Sequence, residues 1–267
     1  MHKALVTLHK EWLELRGERT LLMTVIVPPL LLTILPIVAL YLIGSTPDED
    51  TSQPGAVIAD PSFAGLSEPE VGQALMGKQF GLMFLIMPLL VPATIASYSI
   101  VGEKMHRTLE PLLAAPVRTW ELLLGKCLAS LIPSLIITWG AAAVFILALR
   151  LIVLSDRVYQ VILDGGWWIL LLLGSPSLAL IMVAATVAIS GRVNDPRTAQ
   201  QVSAVVVVPL LALFIAQLLG IVVLTPLLAL IASTALAFLA ILAFAGAILP
   251  SFVQLEGFYD EFSARRW

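Results

Sequence analysis

Residues 103–126 read Glu-Lys-Met-His-Arg-Thr-Leu-Glu-Pro-Leu-Leu-Ala-Ala-Pro-Val-Arg-Thr-Trp-Glu-Leu-Leu-Leu-Gly-Lys, a charged stretch with two prolines between apolar runs at about 80–101 and 127–149. If those runs cross a bilayer, the stretch between them lies at a membrane surface. A hydrocarbon core about 30 Å thick needs about 20 apolar residues per helical span. Both runs are long enough, as are those at about 20–43, 167–190, 202–224 and 226–249. The chain is 59% hydrophobic and 12% charged, with a mean hydropathy of +0.99. Soluble domains run near one quarter charged, so composition alone assigns it to the membrane. Lipid offers backbone amides no water partner, which makes each run a helix. The expected fold is an all-α membrane protein, one domain over residues 1–267 with six transmembrane helices.

Lysine and arginine collect in cytoplasmic segments. If both termini share one side, that side carries twelve of the fifteen Lys and Arg, leaving only Lys78, Arg150 and Arg157 on the other. Both termini and residues 103–126 are therefore expected in the cytoplasm, on a multi-pass protein of the cell membrane. The first span exceeds a signal peptide's core and follows a charged amphipathic stretch, so it is not read as a removable signal. In that stretch Leu5, Leu8, Trp12 and Leu15 recur at helical spacing among charged residues. Residues 1–20 are expected to form an interfacial helix lying against membrane lipid. Residues 44–79 read as an acidic external loop with a short strand at 56–59 and a small helix at 68–76. Trp167 and Trp168 open the fourth span at the depth that indole rings favour. Thr225 and Pro226 turn a tight hairpin between the last two spans, and residues 251–267 form a surface-lying cytoplasmic tail.

No Asp, Glu, Lys, Arg or His occupies the middle of any span. Ionisable groups at that depth mark proton relays and ion sites, so their absence counts against those functions. Thr33, Thr94, Ser97 and Gln217 are the modest polar groups left to line a translocation path, although interhelical hydrogen bonds explain most such residues. Pro28, Pro29, Pro36, Pro88, Pro92, Pro133, Pro176 and Pro209 each remove a helical donor and can kink a span. The lone Cys127 can form no intrachain disulfide. His2, His9 and His106 form no zinc-binding pair, so no metal is expected. Residues 72–78 fit G-x-x-x-x-G-K, but Gln79 stands where a P-loop needs Ser or Thr for magnesium, and the match reads as chance. The chain is expected to bind no cofactor and to have no catalytic site of its own.

Within 103–126, Pro111 is tolerated if a helix begins at Thr108, because first-turn residues have no intrahelical partner for their N–H. Glu110 then suits the helix dipole. The helix stops before Pro116, and Thr119 caps the next one, which enters the membrane past Lys126. Leu109, Leu112 and Leu113 share one side. Such a helix can press into a groove on another protein, or it can touch only lipid headgroups. The cluster Asn194, Asp195 and Arg197 between spans four and five reads as a turn, with contact to a cytoplasmic partner as the alternative.

The run Gly102-Glu103, Arg107-Thr108-Leu109-Glu110, Leu112-Leu113, Pro116, Glu121, Leu123-Leu124-Gly125-Lys126 resembles the signature loop of ATP-binding-cassette export permeases of the second type, which include a sodium- and drug-export branch. Arg107 stands where that motif usually has glycine. The resemblance implies that the loop is a coupling helix docking on a separate ATPase subunit. Its contact residues would be Glu103, Arg107, Thr108, Leu109, Glu110, Leu112, Leu113 and Pro116. It implies a second permease subunit, alike or different, with ATP and Mg held by the ATPase partner; nucleic acid has no place in it. The implied activity is ATP-driven export. A path without buried charge favours an amphiphilic or hydrophobic cargo over a small cation. The rivals are a self-sufficient channel or secondary transporter, for which no inverted repeat or midplane ion site is visible, and a membrane scaffold without transport activity.

Overall fold

The structure, a computed structural model, describes residues 12–13, 17–45, 63, 65–105, 119–190, 193–219 and 225–264. Among them it holds helices and turns and no strand. The elements are α1 (Arg19–Ser45), α2 (Glu68–Met83), α3 (Met87–Met105), α4 (Thr119–Ile152), α5 (Asp156–Ile162), α6 (Gly165–Ile169), α7 (Ser175–Ser190), α8 (Pro196–Ser203), α9 (Val208–Leu218) and α10 (Pro226–Ala264). Six stretches are long and apolar enough to cross a membrane, so the protein is the six-span helical protein its composition predicts. The strand expected at 56–59 and most of the interfacial helix at 1–20 lie outside the described residues.

Span boundaries follow capping chemistry more than hydropathy. The second span starts at Glu68, twelve residues before its apolar run, and extends the small helix expected at 68–76. Ser67 and Glu70 cap it: the Ser67 N–H and hydroxyl both reach Glu70 Oε2 at 2.8 Å, which satisfies a helix-start donor. The fifth span starts at Pro196, where the Asp195 carboxylate accepts from the Thr198 N–H at 2.9 Å and its hydroxyl at 3.0 Å. It ends at Leu218 rather than 224. α10 opens where Thr225 Oγ1 accepts from the Leu228 N–H at 3.3 Å. Its 39 residues continue through the expected tail to Ala264 as one helix, about 58 Å at 1.5 Å per residue.

Three spans are broken, and each break ends one residue before the helix that carries a proline as its second residue. The second span is interrupted by a turn at 84–86 and resumes at Met87-Pro88. The fourth has a π turn at Leu170–Gly174 and resumes at Ser175-Pro176. The fifth has a 3₁₀ turn at Ala204–Val207 and resumes at Val208-Pro209. The cause is local. A proline has no N–H for the carbonyl four residues back, so the chain upstream rearranges to satisfy that carbonyl otherwise. Val205, which loses Pro209 as donor, accepts from the Val208 N–H instead. Leu85, Ile86, Leu170 and Val207 bring all three breaks into one buried cluster with Leu89, Met182 and Ala229. Pro28, Pro29, Pro36, Pro92 and Pro133 remain inside regular helix.

Long-range contacts define two ends. At the distal end the last turns of α1 and α4 meet the start of α2 through Gln73, which bonds the Leu40 and Ile152 carbonyls. Lys78 pairs with Asp164 at 3.6 Å and stacks over Phe63. At the terminal end Lys126 of α4 reaches Ser99 of α3, and Cys127 packs with Val183, Val187 and Phe244. The second span is innermost, its apolar window 89% buried, against 11% for the fifth. Trp167 departs from its expected interfacial role: it is buried, edge-on to Phe84 at 6.5 Å between ring centres, and Phe84 packs on Phe145 at 5.0 Å. Trp168 is exposed. Successive helical residues point about 100° apart, so the two indoles take different directions, and here one is covered and the other is not.

Candidate functional site

α3, α7 and α8 pack on one another in the bundle. Thr94 and Ser97 sit one turn apart on α3, both buried. α8 lies against α3, and Gln200 Nε2 donates to Thr94 Oγ1 at 2.8 Å while Thr94 donates to the Leu90 carbonyl at 3.1 Å. Gln200 is a polar partner of Thr94 that hydropathy missed, because the apolar run opens at Val202 and the preceding Gln200-Gln201 pair reads as loop. Asp195 capping α8 was the available signal. Thr33 belongs elsewhere: it is buried on α1 and donates to the Pro29 carbonyl at 2.7 Å. Gln217 is far along α9, and its shielded amide oxygen has no partner among the described residues. The structure thus joins Thr94 with Ser97 and Gln200, with Thr33 and Gln217 on other helices.

Interhelical bonding explains fewer hydroxyls than expected. Ser97 donates to Ala93 O, Thr138 to Ser134 O, Thr186 to Met182 O and Ser190 to Thr186 O, each within its own helix. A hydroxyl bonded four residues back satisfies itself at any depth and stays small enough for close helix approach. The π turn is an exception. There the Ser175 N–H bonds Leu170 O, and the next donor in line is Pro176, which has no N–H. The Leu171 carbonyl accepts instead from the Ser175 hydroxyl and from Trp139 Nε1 of α4 at 3.3 Å. Trp139→Phe should therefore cost only about 1 kcal/mol, because Ser175 still serves the carbonyl. The double change Trp139→Phe with Ser175→Ala should cost more than the sum of the single changes, as detergent melting curves would show.

Residues 72–78 lie inside α2, with Lys78 held by Asp164. A continuous helix forms no phosphate-cradling loop, in agreement with reading that motif as chance. No grouping of His, Cys, Asp or Glu suited to a metal occurs among the described residues.

On the terminal end, Glu103 falls in the last turn of α3. Arg107, Thr108, Leu109, Glu110, Leu112, Leu113 and Pro116 lie outside the described residues. Asn194, Asp195 and Arg197 are exposed at the start of α8, and in place of the expected turn Asp195 caps the helix that already contains Arg197.

Six apolar spans, three of them broken around an interior without charge at mid-span, are the architecture a membrane permease requires. The family model described as ABC-2 family transporter protein matches residues 5–248. The chain belongs to that family. It is the membrane-spanning permease subunit of an ATP-binding-cassette transporter, a multi-pass membrane protein of a family that pairs with an ATP-binding subunit. Comparison with curated proteins found no match.

Proposed function

We propose that this subunit drives export of an amphiphilic or hydrophobic cargo from the cytoplasm, using ATP and Mg bound by a separate ATPase. Two permease subunits face each other in the cell membrane with cytoplasmic termini, and the ATPases sit beneath on the 103–126 segments. Thr108, Leu109, Glu110, Leu112 and Leu113 make the main contact, flanked by Glu103, Arg107 and Pro116. Asn194, Asp195 and Arg197 make a second one. The observation that carries this reading is the burial of the second span, whose cytoplasmic continuation is the coupling segment. A push there acts on the innermost helix and the broken spans packed on it. ATP shifts the cleft between inward and outward access by favouring one of two states. The uncharged interior, with Thr94, Ser97 and Gln200 as its polar cluster, supports an apolar cargo over a small cation.

Replacing Leu109 and Glu110 together with alanine should abolish co-purification of the ATPase while leaving membrane insertion intact. An ATPase bound equally well by the double variant, or absent from the wild-type preparation, would overturn the reading.

A further inference from the structure

We propose that Lys126 is a transmission residue, a clip that makes the cytoplasmic ends of the second and third spans move as one lever. The proposal rests on the reading in which residues 103–126 receive the push of the ATPase. The lysine Nζ reaches the Ser99 carbonyl at 2.9 Å and the Ser99 hydroxyl at 3.0 Å. These contacts join α4 to α3 at the base of the two stalks that carry the intervening segment.

The side chain's direction is the informative feature. A lysine at a membrane border can keep its ammonium in water by extending along the surface, and helical side chains lean toward the helix start, which here leads back to residue 119. Lys126 instead is only 4% exposed. Enclosing an ammonium is costly unless polar partners surround it, and Ser99 supplies two oxygens. The backbone beneath the lysine is also held: Ser130 donates to the Lys126 carbonyl at 3.2 Å and to the Cys127 carbonyl at 3.0 Å. Cys127, the next residue, faces the other way onto Val183, Val187 and Phe244. At this level α4 is fastened to α3 by a charge and to α7 and α10 by apolar packing. Apolar packing slides at little cost, whereas an ammonium held at hydrogen-bond distance by two oxygens of Ser99 fixes one position along α3. A force on the segment between the stalks would spread them apart without the clip, and would move them together with it.

Double electron–electron resonance tests this on the chain in nanodiscs with the ATPase subunit that co-purifies with it. A Cys127→Ser background removes the single native thiol. One label pair, Gly102→Cys with Leu124→Cys, spans the two stalks, and Gly102 has open space for a label. A second pair, Gly102→Cys with Gln201→Cys, measures the stalks against α8. In the wild-type lysine protein the stalk pair should keep one distance with and without vanadate-trapped ATP, while the second pair shifts. Lys126→Met should add a longer population to the stalk pair and lose the shift of the second pair. Lys126→Arg should restore both, and Ser99→Ala, which keeps the carbonyl contact, gives a milder version if the methionine variant fails to fold. A stalk distance in Lys126→Met like that of the lysine protein, with the second pair still shifting, overturns the clip. Absence of any shift of the second pair in the lysine protein overturns the ATPase-driven reading instead, whatever the stalk pair does.

Discussion

Replacing Gln73 with leucine is expected to loosen the distal end of the bundle and lower stability by about 2–6 kcal/mol, from two polar groups left short at about 1–3 kcal/mol each. Gln73 is fully buried. Its Nε2 donates to the Leu40 carbonyl at 3.0 Å and the Ile152 carbonyl at 3.4 Å, and its Oε1 accepts from the Leu154 N–H at 3.1 Å. One side chain thus closes the ends of α1 and α4 onto α2. Leucine matches its bulk and none of its hydrogen bonds, so the part-buried Ile152 carbonyl and Leu154 N–H lose this partner, while the Leu40 carbonyl keeps only its helical donor. Gln73→Glu should be no rescue, because a carboxylate faces two carbonyl oxygens and donates to neither when ionised. Gly44 offers an independent check. A Cβ there would fall within the 3.0 Å of Gln73 Nε2 that real Cβ contacts essentially never enter. Gly44→Ala should therefore be costly beside Gln73 and nearly neutral beside alanine at position 73. A double-mutant cycle from detergent melting curves measures that coupling, and additive costs would refute the clamp.

The second large effect is expected at Gly77, where α2 meets α5. A Cβ there would enter the same forbidden distance from Ile162 Cδ1 and Cγ1 and lie 3.1 Å from Cγ2. Ile162 is fully buried among Val158, Trp167 and Phe145 and has nowhere to retreat. Gly77→Val adds three carbons to this contact, and overpacking typically costs about 1–3 kcal/mol. The variant should separate α5 from α2 and expose amides 156–162 to hydrogen exchange. Adding Ile162→Ala should recover much of the loss, because the smaller side chain vacates the space the valine needs. Exchange in the single variant that matches wild type would refute the close approach.

The candidate site divides along the same physical lines. The proline-bounded rhythm of 103–126 is a local pattern, so its resemblance to a transporter signature was visible in residues alone, and the match over 5–248 places the chain in that family. The pairing of Thr94 with Gln200 joins residues 106 positions apart, and no local pattern announces it. The same holds for Lys126 and Ser99.

What residues alone determined is the membrane class, the six spans and their helical form. Each follows from summing transfer and hydrogen-bond requirements over about 20 neighbours along the chain, with no reference to other helices. Helix starts at Ser67 and Asp195 were also written locally, in side chains that hydropathy does not weigh. Only the tertiary structure decided which side of each span faces inward. In helices apolar all round, no amphipathic stripe marks the interior, so Trp167 and Trp168 are equivalent until Phe84 and Phe145 arrive to cover one of them. The convergence of three proline-linked breaks on one core likewise required the helices to be brought side by side.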